Sequence, residues 1–265
     1  MITIAGLSRR KTIGLFQILT IMLITIAALL GFFFVMKAQQ VSGEMLLVSV
    51  VGFCTLWCAA VGPSVTTLGK TSTQKFFRAG TVSDSTGIAL IIIWAIFPET
   101  ADAIKPSFWT MIKVYFVCTS LTMFAASLAC IARRSSGTIF AALICWLIFF
   151  IALASPFWIQ SQLNNSSSQH QQQAVDIAAI VNPAWASLDA VSDYTKTPWH
   201  YGGGKLYEQT TIGETVFPKN YSWLITMLFY LSLACIFGLI AYVKYRSHLA
   251  DHKEDKEKQL AETSE

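Results

Sequence analysis

The sequence predicts an all-α, polytopic membrane protein with six transmembrane helices and both termini in the cytoplasm. Three observations carry this. The 265-residue chain is 54% hydrophobic and only 13% charged, whereas a soluble domain carries roughly 25% charge. Six separate apolar runs reach, or extend to, the ~20 residues that cross a hydrocarbon core, and barrel strands would be shorter and alternating. Cations gather in every second connection, as the positive-inside rule requires.

The first run, about Ile13 to Met36, follows Arg9, Arg10 and Lys11. It is too long for the apolar part of a signal peptide and no small-x-small cleavage site follows, so it reads as an uncleaved span. A turn at Gln39, Gln40 and Gly43 leads to the second run, about Met45 to Leu68, with Pro63 near its end as a kink candidate. A polar stretch from Gly69 to Asp84 carries Lys70, Lys75 and Arg78. The third run, about Thr86 to Phe97, becomes a full span if it starts near Thr81. The linker Pro98 to Ser107 is acidic and turn-rich. An apolar hairpin follows: about Thr110 to Ile131, a tight turn at Arg133-Arg134, then about Thr138 to Ile159.

The longest polar segment, 161–221, opens in a Ser/Asn/Gln-rich patch that reads as solvated loop. Within it, Ala174 to Val191 carries Val175, Ile177, Ile180, Val181, Trp185 and Leu188 at helical spacing. That is too short to span and suits a re-entrant or surface-lying helix. Trp199, Tyr201, Tyr207, Phe217, Tyr221 and Trp223 supply interfacial rings before the last span, about Leu224 to Val243, and 244–265 is a charged, helical tail. With six spans, one side receives Arg9, Arg10, Lys11, Lys70, Lys75, Arg78, Arg133, Arg134, Lys244, Arg246, Lys253, Lys256 and Lys258. The short connections opposite receive only Lys37, Lys105 and Lys113. The long loop is therefore expected outside a plasma (inner) membrane.

Several function classes find no support. The runs themselves hold essentially no ionisable residue, since Glu44 and Lys113 lie at their ends. Proton relays and ion pathways usually need such residues. His170, His200, His248 and His252 all fall in polar segments, away from where haem ligands would sit, and no cluster has metal-ligand spacing. Gly69-Lys70-Thr71 mimics the end of a phosphate-binding loop, but Ser64 stands where that motif needs its first glycine. Gly202-Gly203-Gly204-Lys205 reads as a turn. The Asn-x-Ser patterns at Asn164, Asn165 and Asn220 read as products of local composition. The six cysteines all lie in apolar runs and none in the outer loop, so a disulfide framework is not expected; Cys54 and Cys58 read as packing residues rather than a thiol pair. No catalytic residue, metal or cofactor is predicted, and the net charge of +4 implies no nucleic acid.

Three stretches carry a family likeness: Phe124 to Gly137, small-residue-rich and closing in the basic turn; Val181-Asn182-Pro183-Ala184-Trp185-Ala186-Ser187-Leu188; and the last span running into Lys244-Tyr245-Arg246. Together they resemble the membrane subunit of ABC-2 type ABC transporters. That family has six spans, cytoplasmic termini and a long outer segment before the last span, often with an Asn-Pro motif. The resemblance implies a permease energised by a separate ATPase subunit and working as an exporter. It also implies a docking segment after span two with Glu-Arg-x-x-Gly-Thr. Here Gly80-Thr81 is present, while Phe76 and Phe77 replace Glu and Arg, between Lys75 and Arg78. Such an amphipathic segment suits either a partner groove or two phenylalanines in the inner leaflet with the cations on anionic lipid.

Pairing of two copies, or of this chain with another membrane subunit, is expected to form the pathway. Ser120, Ala125, Ala126, Ser127 and Ala129 allow close helix approach there, or equally within one subunit. Two other readings stand beside the permease. One is a non-catalytic scaffold or assembly subunit of a larger complex. The other is an interfacial enzyme using Asp176, Asp189, Asp193, His200, Glu208 or Glu214, which would need two of these groups to converge on one pocket.

Overall fold

The computed structural model describes residues 2–41, 43–97, 106–132, 135–155, 158, 168–195 and 222–262. Among them the chain is all-helical: α1 (Ile2–Ala38), α2 (Gly43–Thr66), α3 (Ser72–Ile96), α4 (Phe108–Ile131), α5 (Ser135–Leu153), α6 (Ser168–Val181), α7 (Pro183–Thr195) and α8 (Trp223–Glu262). Six segments are long and apolar enough to cross a membrane: Gly14–Ala38, Met45–Thr66, Ser72–Ile96, Phe108–Ile131, Ser136–Leu153 and Trp223–Ser247. The turn at Arg133-Arg134, the linker cation Lys105, His200, Glu208, Glu214, the glycine run at 202–204 and Asn164, Asn165 and Asn220 lie outside the described residues.

α4 is the hub. It packs against α2, α3, α5, α7 and α8, and its small residues are spent inside the subunit: Ser120, Ala125, Ala126, Ser127 and Ala129 are all buried. Gly238 on α8 stands opposite Ser127, a Cβ there lying 4.0 Å from its Oγ. Phe124 of α4 gathers Phe149 of α5 and Tyr230 and Phe237 of α8, with ring centroids 5.8–5.9 Å apart. Such edge and tilted contacts add packing energy where the hydrophobic effect between spans is absent. α1, α5 and the membrane part of α8 turn large apolar side chains outward, among them Phe16, Leu23, Phe150 and Leu239, as lipid-facing helices do.

The third span differs from the sequence expectation. Its helix begins at Ser72, so the stretch read as a polar connection is its first half. Thr71 caps the start, its side chain accepting from Gln74 N at 3.2 Å. The hydroxyls that made this stretch look polar fold back onto their own helix. Thr81 donates to Phe77 O, Ser83 to Gly80 O, Ser85 to Thr81 O and Thr86 to Val82 O, at 2.6–2.9 Å. A hydroxyl satisfied this way no longer needs water.

Candidate functional site

Three places concentrate polar side chains. The first is the end of the bundle that carries Lys70, Lys75, Arg78 and Lys244, hereafter the basic end. Lys75 is 4% exposed, and its Nζ donates to Ala129 O at 2.6 Å and Ala132 O at 2.8 Å. Lys244 Nζ donates to Ile131 O at 3.4 Å. Two spans thus lend a cation to the carbonyl end of α4, where the helix dipole is negative. Arg78 is also buried; its Nη2 donates to Gln17 Oε1 on α1 at 2.6 Å, and its Nη1 has no partner among the described residues.

The cations of the expected docking segment therefore point inward, and Phe77, 62% exposed, points outward. Phe76 is half-buried, Gly80 has open space where a Cβ would sit, and Thr81 is buried on its own helix. A groove of about 740 Å³ opens beside this segment, lined by Lys70, Thr73, Phe76, Ile131, Tyr242 and Tyr245. Gly69 earns its place by close approach, since a Cβ there would lie 2.9 Å from Lys75 N. That contact explains the glycine before Lys70 and Thr71 without any phosphate.

The second place is the break between α6 and α7, which meet at 85°. Asn182 sits in the break, 2% exposed. Its Oδ1 accepts from Ala184 N at 3.0 Å and Trp185 N at 3.4 Å, so it caps α7, and Pro183 takes the first helical position where no N–H is needed. Its Nδ2 donates to Ser155 Oγ at 3.1 Å and Leu153 O at 3.4 Å at the end of α5. Tyr230 of α8 donates its hydroxyl to Val181 O at 2.7 Å. Ser187 of α7 hydrogen-bonds Thr55 in the middle of α2. Asp189 accepts Trp223 N at 2.8 Å and so caps α8. Tyr230 lies seven residues past Trp223, about 10 Å along the helix, so the break enters the bundle and does not ride on its rim. Of the loop acids considered for catalysis, Asp189 is spent as this cap, and Asp176 accepts Gln172 Nε2 on its own helix at 3.0 Å.

The third place was not expected. Asp84 is on the outer surface of α3, and its Oδ1 accepts the Tyr115 hydroxyl of α4 at 2.8 Å. Two cross-ties give its depth: Lys75 to the end of α4, and Trp94 Nε1 to Pro106 O at 2.9 Å at the opposite end. Asp84 is nine residues from Lys75 and ten from Trp94, about 13 and 15 Å. The expectation of span interiors without an ionisable residue is corrected: a carboxyl lies at mid-span, hidden in the sequence because the third span was started too late.

Cys54, Cys58 and Cys118 are free thiols in the bundle core, with Cys58 Sγ 3.4 Å from Thr86 Oγ1. No group of three or more His, Cys, Asp or Glu side chains among the described residues is arranged to hold a metal. Comparison with protein-family models, curated proteins and solved structures finds no match.

Proposed function

We propose that this chain is the membrane-spanning permease subunit of an ABC-2 type exporter, set in the plasma membrane with both termini inside and energised by a separate ATPase. The observation that carries the reading is the α6–α7 hairpin. The Asn182-Pro183 motif, part of the family resemblance, forms the buried elbow of a polar wedge held between the fifth and sixth spans and against the second. A wedge that closes one end of a six-span bundle, with a groove open at the other, suits a path gated from the basic end.

The ATPase is expected at the basic end, on the exposed side of the first turns of α3: Ser72, Thr73, Gln74 and Phe77. Lys75 and Arg78 are poor probes of docking because their loss disturbs packing first. The experiment is affinity purification in mild detergent, with mass spectrometry of what co-purifies. An ATPase with a phosphate-binding loop is expected, its recovery cut at least fivefold by Phe77→Glu while elution volume and melting are unchanged. Recovery of membrane subunits alone, under conditions that keep a known ABC transporter whole, would replace this reading with the scaffold.

A further inference from the structure

We propose that the groove at the basic end holds one anionic phospholipid of the adjoining leaflet, with its phosphate beside Lys70 and Lys75 and an acyl chain along α8. The groove, about 740 Å³, lies where the start of α3, the end of α4 and α8 meet. Lys70, Lys75 and Lys244 line it, and no Asp or Glu stands among the described residues that do. The two lysines of the α3 start are held together. Lys70 N donates to Gln74 Oε1 at 3.0 Å, which ties the turn to the helix. The Lys75 stem lies against Gly69, where a Cβ would meet its Cγ at 2.8 Å, so the residue next to Lys70 packs on Lys75. Lys75 is buried with two carbonyls as partners, and these occupy two of the three N–H donors of its ammonium group. Lys70 and Lys75 bring two positive charges, and the carbonyl end of α4 offsets only about half of one. A cation withdrawn from water gains most from a counter-charge.

Charge alone would admit any anion; the apolar wall selects a lipid. Gly238, Ala241, Tyr242 and Tyr245 form the α8 side of the groove. Gly238 is seven residues from Tyr245, about 10 Å along the helix. All four lie in the part of α8 that is apolar enough to cross a membrane. With Phe76 of α3 and Ile131 of α4, they carry the groove from the cations to membrane depth. A free phosphate would leave that wall bare, whereas an acyl chain covers it. Tyr242 and Tyr245 are 60% and 59% exposed, and such rings with a polar tip suit the headgroup level. Basic pockets between spans are known to take anionic headgroups. The site is for one lipid, which separates it from a general attraction of surface cations to a charged leaflet. The inference goes beyond the proposed function and holds with or without an ATPase, since Phe77, the probe of docking, does not line the groove.

The test is native mass spectrometry of full-length protein, washed free of lipid in mild detergent. It is titrated with phosphatidylglycerol, with phosphatidylcholine of the same chains, and with inorganic phosphate as competitor. One phosphatidylglycerol per chain is expected to bind about tenfold more tightly than phosphatidylcholine, and phosphate at the same concentration is expected not to displace it. Lys70 is exposed, so Lys70→Glu is expected to keep the wild-type elution volume and melting temperature while weakening phosphatidylglycerol about fivefold. Arg246→Glu, an exposed cation of α8 outside the groove, is expected to leave that affinity unchanged. Ala241→Phe fills the apolar wall and is expected to lose the lipid-bound peak although every cation remains. Four results would each overturn the proposal: equal affinity for the two lipids, displacement by phosphate alone, Arg246→Glu as damaging as Lys70→Glu, or an Ala241→Phe protein that binds like wild type. No ATPase is present in the assay, so a negative result leaves the permease reading standing.

Discussion

Replacing Asn182 with alanine removes four contacts at one point. Its Oδ1 caps α7 through Ala184 and Trp185, and loss of such a cap costs about 1 kcal/mol. Its Nδ2 reaches Ser155 at 3.1 Å in a buried setting, worth about 0.5–1.5 kcal/mol net. The bond to Leu153 O at 3.4 Å is long and adds little. The smaller side chain also leaves a gap at a site only 2% exposed. Together these put the loss at about 2–3 kcal/mol. Reversible unfolding of the full-length protein in mixed micelles, with rising denaturing detergent, measures it. Asn182→Asp keeps the cap acceptor and loses the amide donors, so about half the loss is expected. An alanine variant within about 0.5 kcal/mol of wild type would refute Asn182 as the pin of the hairpin.

Three further outcomes follow from the basic end and α3. Lys75→Met strips the charged donors from Ala129 O and Ala132 O and is expected to destabilise the same unfolding transition by about 2 kcal/mol or more, whereas Phe77→Ala, on the surface, shifts it by less than about 0.5 kcal/mol. Gly69→Ala forces a Cβ to within 2.9 Å of Lys75 N and is expected to cost about 1–3 kcal/mol; Gly80→Ala, with open space in a helix, is expected to gain up to about 1 kcal/mol in the same assay. Gly87→Ala pushes on the Tyr115 ring at 2.8 Å, so a changed tyrosine near-ultraviolet dichroism signal and a loss of about 1–3 kcal/mol are expected together.

The six spans were legible because run length and cation alternation are separate signals that agree. The elbow at Asn182 was legible in part. Asn followed by Pro is a helix-start signature, yet nothing in the sequence places the break against Ser155, Thr55 and Tyr230, which are brought there only by the packed bundle. The third span misled for a physical reason. Hydropathy counts Thr81, Ser83, Ser85 and Thr86 as polar, but each spends its hydroxyl on its own backbone. Lys75 and Arg78 misled likewise, since a cation that finds carbonyls or an amide inside the bundle looks in sequence like one meant for water. A signal for Asp84 was present: a helix begun at the Thr71 cap puts that acid at the thirteenth of 25 positions.

The α6–α7 hairpin also carries a message about the order of biogenesis. It leaves the ribosome before the last span exists, yet two of its anchors, the Tyr230 hydroxyl on Val181 O and the Trp223 amide on Asp189, belong to that span. These two bonds therefore form only after α8 has been made. Anchoring of the hairpin is thus complete only when the last helix of the chain is in place.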